Sequence, residues 1–487
     1  MAYVVPHYID GKCITKEQRQ LDIYHPATGE KAGMLHVADR LVVDQAVQAA
    51  RAAFLTWSKT TASYRAKILF RYKALLDANL EQLASIITAE HGKTLIEAAG
   101  SVQRGIDVVD YACGITNLLK GDYSENVSAG VDCYSILQPL GVCVGITPFN
   151  FPGMIPLWMF PMAIACGNTF VLKPSEKDPS CAMKLVELAA EAGLPPGVVN
   201  VVHGDQETVE ALIQHPDVDA VSFVGSSVVA EHVYQTAIAN RKRAQAFGGA
   251  KNHCVVMPDA DLDYAAEAIV ISAYGSAGER CMALSVVVAV GEDTAAKLIE
   301  KMVTKTKALK VGAGSQANVD VGPLVTRQHW ERVKSYVDLG KQEGAALVVD
   351  GSGYHAPDGK GFFMAPCLFD HVNADMRIYQ EEIFGPVLSV VRVDDLETAI
   401  HLINQHQYGN GTAIFTRDGF SGRIFAEKVQ VGMVGINVPA PVPVAYHSFG
   451  GWKHSMFADI GMYGMDAVRF YTNKKKITQR WLPRETV

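Results

Sequence analysis

The 487-residue chain has no uninterrupted apolar run long enough to cross a membrane, which takes about 20 consecutive apolar residues. Its longest apolar stretch, Val142 to Gly167, is broken by Pro148, Pro152, Pro156 and Pro161 and carries Asn150. It is therefore expected to be a buried, irregular segment close to a ligand rather than a spanning helix. The first residues, MAYVVPHYIDGKC, lack the positive patch and continuous apolar core of a secretory signal. The nine cysteines include no CxxC pair and no Cys/His cluster at zinc spacing, so a reducing compartment, by default the cytoplasm, and no structural metal are expected. Basic residues are not in excess: 44 Lys and Arg stand against 51 Asp and Glu, a net charge of −7, and no basic face recruits nucleic acid. Neither the 42 glycines nor the 21 prolines are periodic, and no internal repeat marks a solenoid or fibrous protein.

What is present is a composition of 49% hydrophobic and 20% charged residues, enough for two or three packed domains. From Asp39 to Trp57, Val43, Ala46, Val47, Ala50, Ala53 and Phe54 recur at helical steps behind Asp39 as N-cap, and a longer helical pattern follows to about Ile87. Beyond Leu140 the short apolar runs GVCVGI, TFVLK, VVNVV and AVSFVG alternate with helix-like segments, the rhythm of a parallel sheet wound by helices. A second such set, including LSVVVAV, AALVVD and PVLSVVRV, runs from about Met282 to Val434, with a boundary near Gly248. Asp122 to Leu137 and Arg469 to Trp481 alternate polar and apolar residues as half-exposed strands do, and they are expected to pair as an outlying ribbon. Lys474, Lys475 and Lys476 fit a solvated strand edge.

Three places could carry chemistry. Cys281, in AYGSAGERCMALS, directly follows Arg280 among small residues. A guanidinium favours the reactive thiolate, whereas an isolated buried cysteine is usually filler, so both readings stand on the residues alone. Asn150, in PFNFP, lies in a proline-framed loop after the GVCVGI strand; it is either an oxyanion donor or a turn residue capping its own backbone. Arg104 lies in a helical pattern with one apolar stripe of Val102, Ile106 and Val109 and another of Val108 and Tyr111. Its partner is either Asp107 or Glu97 on the same helix, or an anionic substrate. The GxGxxA string from Gly312 to Ala317 superficially matches a dinucleotide fingerprint, but no apolar strand precedes it and no helix-like periodicity follows, so it is read as a surface turn.

TPFNFP, VLKPSE, FVGSS, GGAKN, GERCM, EEIFGPV and the SFGGWKHS tail occur in the order seen in the aldehyde dehydrogenase superfamily, and the resemblance covers nearly the whole chain. Within it, GSAGERCMA, GAKNH and Arg104 in SVQRGIDVV resemble the CoA-acylating methylmalonate-semialdehyde dehydrogenases. The resemblance implies an α/β fold with two parallel-sheet domains and a small β oligomerisation ribbon. Residues 1–121 and 138–247 would bind NAD, 248–440 would form the catalytic domain, 122–137 with 469–487 the ribbon, and 441–468 a connection. It also implies that Cys281 attacks an aldehyde carbon and that the Asn150 amide and the Cys281 N–H hold the oxyanion, donors typically worth about 3 to 4 kcal/mol each. Arg104 and Arg280 would grip a substrate carboxylate. Lys173 and Glu176 would meet the adenosine ribose, Glu176 favouring NAD over NADP. Ser226 would lie near the pyrophosphate and Glu382 would hold the nicotinamide ribose beside Phe384, with Thr147, Phe149, Lys177 and Gly248 also at the cofactor. Ala230 departs from the family at a place where relatives often have glycine.

In AFGGAKN, Ala246 stands where hydrolytic relatives usually carry the glutamate that activates water, and Gln245 is no base either. A thioester on Cys281 would then await CoA, whose thiol is a better nucleophile than water. The activity implied is conversion of methylmalonate or malonate semialdehyde to propionyl-CoA or acetyl-CoA with loss of CO2, by a cytoplasmic homotetramer built as a dimer of dimers. The rivals are a hydrolytic aldehyde dehydrogenase that releases free acid and a non-catalytic homologue that keeps only the fold.

Overall fold

The computed structural model describes residues 3–15 and 19–482; the last five residues of the expected ribbon, 483–487, lie outside the described residues. Two sheets organise the chain. In the first, eight strands run in the spatial order Met456–Phe457, Arg243–Phe247, Ala220–Val224, Val142–Ile146, Thr169–Lys173, Val199–Val201, His7–Ile9 and Lys12–Ile14. Its five central strands are parallel. The chain builds outward from Val142–Ile146 through Thr169–Lys173 to Val199–Val201, then returns to the other side of Val142–Ile146 with Ala220–Val224. This reversal opens a crevice at the carboxyl ends of the strands, where α/β sheets bind ligands.

The second sheet has seven strands in the order Ala346–Val349, Cys367–Asp370, Val387–Val393, Leu284–Val290, Asn252–Val256, Gly411–Phe415 and Met433–Ile436. Only Ala346–Val349 is antiparallel to its neighbour. The chain passes from the first sheet to the second between Phe247 and Asn252. A three-stranded antiparallel ribbon of Thr472–Arg480, Val131–Pro139 and Tyr123–Ser128 stands apart, with Thr472 opposite Pro139 and Arg480 opposite Val131. A further small sheet of Tyr3–Val5, Glu30–His36 and Gln20–His25 has no counterpart in the sequence reading.

Local chemistry explains the helices around the first sheet. Asp39 caps the Arg40–Trp57 helix by accepting from the Val42 N–H, and Val42, Val43, Ala46, Val47 and Ala50 bury against Val142, Val144 and Val171. The pattern extending to Ile87 proves to be two helices, Ala62–Ala78 and Leu80–His91. They are separated at Asn79, whose side chain bonds back to the Leu75 carbonyl and competes with helix continuation. Thr94 and Glu97 form a capping box that starts the Leu95–Cys113 helix.

The stretch from Val142 to Gly167 is more regular than expected. It forms a buried strand to Ile146, a loop, and a fully buried helix, Met154–Ala165. Pro156 is tolerated because it lies in the first turn, where an N–H has no partner in the helix. Pro161 sits mid-helix. Nearer its start the helix packs closely against the Leu95–Cys113 helix, where a Cβ at Gly105 would lie 2.7 Å from Leu157 Cδ1. Truncating Leu157 to alanine would leave a hole in this contact, a change that costs about 2 to 5 kcal/mol in well-packed cores.

Candidate active site

The crevice at the end of the Val142–Ile146 strand holds Thr147, Pro148, Phe149 and Asn150. Asn150 is 4% exposed. Its carbonyl accepts from Lys93 Nζ at 2.5 Å, and the same ammonium lies 4.3 Å from the Phe151 ring centre. Burial lowers Lys93 to about 8, with Glu97 opposing. The backbone of the loop is therefore fixed, while no group among the described residues binds the side-chain amide of Asn150. That amide faces a cavity of about 440 Å3 that is also lined by Phe149, Lys177, Gly248, Cys281, His329, Arg332, Glu382 and Phe384.

Cys281 reaches this cavity from a strained turn. After the Leu262–Tyr274 helix, Ser276 and Ala277 adopt φ of 50° and 53°, conformations that cost of order 1–3 kcal/mol each for non-glycine residues. Gly278 follows at φ +75°, and a Cβ there would lie 2.2 Å from the Gly385 carbonyl oxygen. Glu97 offsets part of this strain: one oxygen accepts from the Ser276 N–H at 2.6 Å and the other closes the Thr94 capping box.

The expected guanidinium effect on Cys281 is outweighed. Burial pushes the thiol up to about 11, Glu382 adds to the rise, and Arg280 opposes it only weakly. The reason is orientation: Arg280 turns its guanidinium to the carbonyls of Ile271, at 3.0 Å, and Ser272, at 2.6 Å. Adjacency in sequence to the sulfur is not adjacency of charge.

The two arginines are nevertheless in electrostatic reach. Burial lowers the Arg280 pKa, Glu97 opposes this, and Arg104 adds to the lowering as a like charge. Arg104 itself sits on the exposed face of its helix, while Val102, Ile106, Val108 and Val109 are buried. Neither candidate partner on its own helix takes it: Asp107 accepts from Gln103, and Glu97 is held by Thr94 and Ser276. Tyr463 feels both Arg104 and Cys281.

On the other side, Glu382 Oε1 accepts from the Ala250 N–H at 2.9 Å, and a Cβ at Gly249 would lie 2.5 Å from Glu382 Oε2, so only glycine allows this approach. Burial raises the Glu382 pKa against the Ala250 N–H, Lys251 and Arg332. Phe384, at φ +60°, accepts a 2.7 Å bond from His329 Nε2 through its carbonyl, and its ring meets that of Phe149 edge-on at 5.8 Å. Lys177 covers Phe149 at 4.3 Å.

A second cavity of about 500 Å3 shares Pro148, Phe149, Lys177, Val224, Gly225 and Ser226 with the first, and adds Thr147, Lys173 and Glu176. Lys173 Nζ lies 3.2 Å from Glu176 Oε2. Burial pushes the Glu176 carboxyl up, but Lys173 and other favourable contacts bring it net below the usual range. Ser226 caps the Ser227–Ala239 helix without a side-chain cap bond, leaving the helix N-terminus facing the cavity, a ready anion site. Thr147 Oγ1 is buried without a partner. Ala230 is fully buried on that helix, and its N–H donates to the Ser226 carbonyl at 2.8 Å, so the methyl group fits. A carboxylate, an unpartnered hydroxyl and a helix N-terminus along two joined cavities suit a dinucleotide.

Ala246 is fully buried in a strand, and Gln245 points away, donating to Ser222 Oγ at 2.9 Å. Glu382 is the one carboxylate among the residues lining the Cys281 cavity. Glu279 faces backward, with His329 Nε2 at 3.5 Å and His91 Nε2 at 3.7 Å. The GxGxxA string is a loop against the start of the Arg104 helix: the Gly314 carbonyl accepts from the Leu95 N–H.

Lys93, Glu97, Asn252, His329 and Asn410 belong to the site although the sequence reading gave none of them a role there. Asn252 lay inside the quoted GGAKN string; Lys93, His329 and Asn410 gave no local signal.

The aldehyde dehydrogenase family model matches residues 13–477. The chain is similar to the malonate-semialdehyde dehydrogenase of Pseudomonas aeruginosa, 56% identical over 476 residues, 98% of this chain and 96% of that one. Two solved structures resemble it closely. A protein from Sinorhizobium meliloti, assigned as a methylmalonate-semialdehyde dehydrogenase and complexed with NAD, is 50% identical, covers 100% of both chains and has a TM-score of 0.99. The methylmalonate-semialdehyde dehydrogenase of Oceanimonas doudoroffii is 54% identical over 99% of each chain, with a TM-score of 0.98.

Proposed function

The chain belongs to the aldehyde dehydrogenase family, and from that premise we propose that it oxidises malonate or methylmalonate semialdehyde with NAD and passes the acyl group to CoA, with loss of CO2. One observation carries the reading: a cavity that joins Cys281 to the free Asn150 amide while the water-activating position is the buried methyl of Ala246. The paired charges of Arg104 and Arg280 support a carboxylated aldehyde.

The Cys281 sulfur attacks the aldehyde carbon and the carbonyl oxygen becomes an oxyanion, to which the Asn150 amide and the Cys281 N–H donate. Bound NAD supplies the acceptor for the hydride that leaves this carbon. Glu176 and Lys173 would hold its adenosine ribose, with a carboxylate that repels a 2′-phosphate. The helix end at Ser226 would face the pyrophosphate, and Glu382, flanked by Phe384, would hold the nicotinamide ribose. Thr147, Phe149, Lys177 and Gly248 complete the walls.

A thioester then remains on Cys281. Neither Ala246 nor Gln245 can take a proton from water, so the thioester persists until the CoA thiol displaces Cys281. When the substrate carboxylate leaves as CO2, its bonding electrons pass into the thioester carbonyl, the same two donors hold the enolate, and a proton from solvent adds to its α-carbon to give the acetyl or propionyl group. This requires the breaking bond to stand out of the carbonyl plane.

The chain is further proposed to act in the cytoplasm as a homotetramer, a dimer of dimers. Residues 1–121 and 138–247 would serve NAD, 248–440 the chemistry, 441–468 the connection, and 122–137 with 469–487 the assembly. The test is NADH formation from each semialdehyde with and without CoA, followed by mass identification of the product. Acetyl-CoA and propionyl-CoA are expected; free acid at full rate without CoA would favour the hydrolytic alternative.

A further inference from the structure

Two amides from distant segments converge on the backbone of Cys281. Asn252, at the start of its strand, donates to the Cys281 carbonyl at 2.8 Å and to the Ala283 carbonyl at 2.8 Å, while its oxygen accepts from the Gly411 N–H at 3.0 Å. Asn410 donates to the same Cys281 carbonyl at 3.1 Å and also approaches Met282 Sδ at 3.1 Å. Both are nearly fully buried, at 3% and 5% exposure. The Cys281 carbonyl and the Met282 N–H are two ends of one peptide group. That N–H lies next to the Cys281 side chain in the chain, and it favours the ionised form of the sulfur. Hydrogen bonds accepted at a peptide carbonyl strengthen donation from its N–H.

We propose that Asn252 and Asn410 are positioning residues for the nucleophile: together they fix and polarise the Cys281–Met282 peptide so that its N–H is held on the sulfur as the thiolate forms. The proposal rests on the reading of Cys281 as the nucleophile. The surrounding charges leave room for such a device. Glu382 disfavours the thiolate, and Arg280 is engaged by two helix carbonyls. Lys177, His329 and Arg332 line the same cavity, and Tyr463 feels both Arg104 and Cys281.

The experiment is alkylation of the full-length, cofactor-free protein by iodoacetamide, in short pulses across the alkaline range. Modification is read at the Cys281 peptide by mass spectrometry, because Cys13 and Cys133 are also accessible. Asn410→Leu and Asn252→Ala should each move the Cys281 inflection to higher pH. Below the inflection, modification should slow by about threefold to tenfold, the effect of losing one neutral hydrogen bond, while NAD binding is kept. Asn252 also ties three strands together, so if Asn252→Ala fails to fold, Asn410→Leu and Asn410→Ala decide. An unchanged Cys281 inflection in a folded, NAD-binding Asn410 variant overturns the proposal. Full NADH formation by protein alkylated at Cys281 would instead overturn the nucleophile reading itself.

Discussion

Replacing Asn150 by alanine isolates the oxyanion donor from everything else in the site. The loop backbone should survive, because Lys93 holds the Asn150 carbonyl and Phe149 is packed between Lys177 and Phe384. Stability should change little, since no group among the described residues depends on the lost amide. Removing one preorganised donor costs about 3 to 4 kcal/mol of transition-state stabilisation. At about 1.36 kcal/mol per tenfold, acylation should slow by roughly 150- to 900-fold. The assay is the pre-steady-state burst of NADH absorbance with aldehyde and NAD both saturating, alongside the NAD dissociation constant from tryptophan fluorescence. That constant should stay within about twofold, because Asn150 does not line the cavity of Lys173 and Glu176. A burst less than about tenfold slower, with NAD binding intact, would refute the assignment of Asn150.

Arg104→Leu should lower kcat/KM for a carboxylated semialdehyde by about 10- to 30-fold, the lower part of the range for a charge-assisted bond because the residue is exposed; oxidation of propionaldehyde should not fall, and equal losses on both would contradict the carboxylate role. Glu176→Gln should shift the NADP-to-NAD preference toward NADP by about fivefold to tenfold, as expected for removing one partly screened like-charge contact, measured as the ratio of the two KM values. Burial raises the Glu279 carboxyl from 4.5 to about 8, against Val325, Lys177 and Lys93. The folded protein therefore keeps a proton that the unfolded chain sheds, so this contribution is complete below pH 4.5 and is lost as pH rises toward 8. Glu279→Gln, which mimics the protonated form, should flatten the fall of Tm over that window; parallel Tm curves for the two proteins would contradict this.

Much of the architecture is written in local pattern. Asp39 before a helical stripe and apolar runs such as TFVLK specify their elements because burial and capping act over a few residues, and the α/β fold and family follow from ordered motifs. Asn79 shows the limit: the stripe of apolar residues continues across it, and only its side-chain bond to Leu75 splits one expected helix into two. The site is less legible because its contacts cross the chain. Lys93 meets Asn150 from 57 residues away, and Asn410 reaches the Cys281 carbonyl from 129. Arg280 beside Cys281 misleads for a related reason: a side-chain rotamer, set by the helix carbonyls of Ile271 and Ser272, decides where the charge goes.

The most direct measurement is a single turnover without CoA, in which NADH is counted and the Cys281 peptide is weighed. The account predicts one equivalent of NADH per active site, an acetyl- or malonyl-sized adduct on Cys281 from malonate semialdehyde, and loss of that adduct when CoA is added. Continuous NADH formation with the Cys281 peptide unmodified would contradict it.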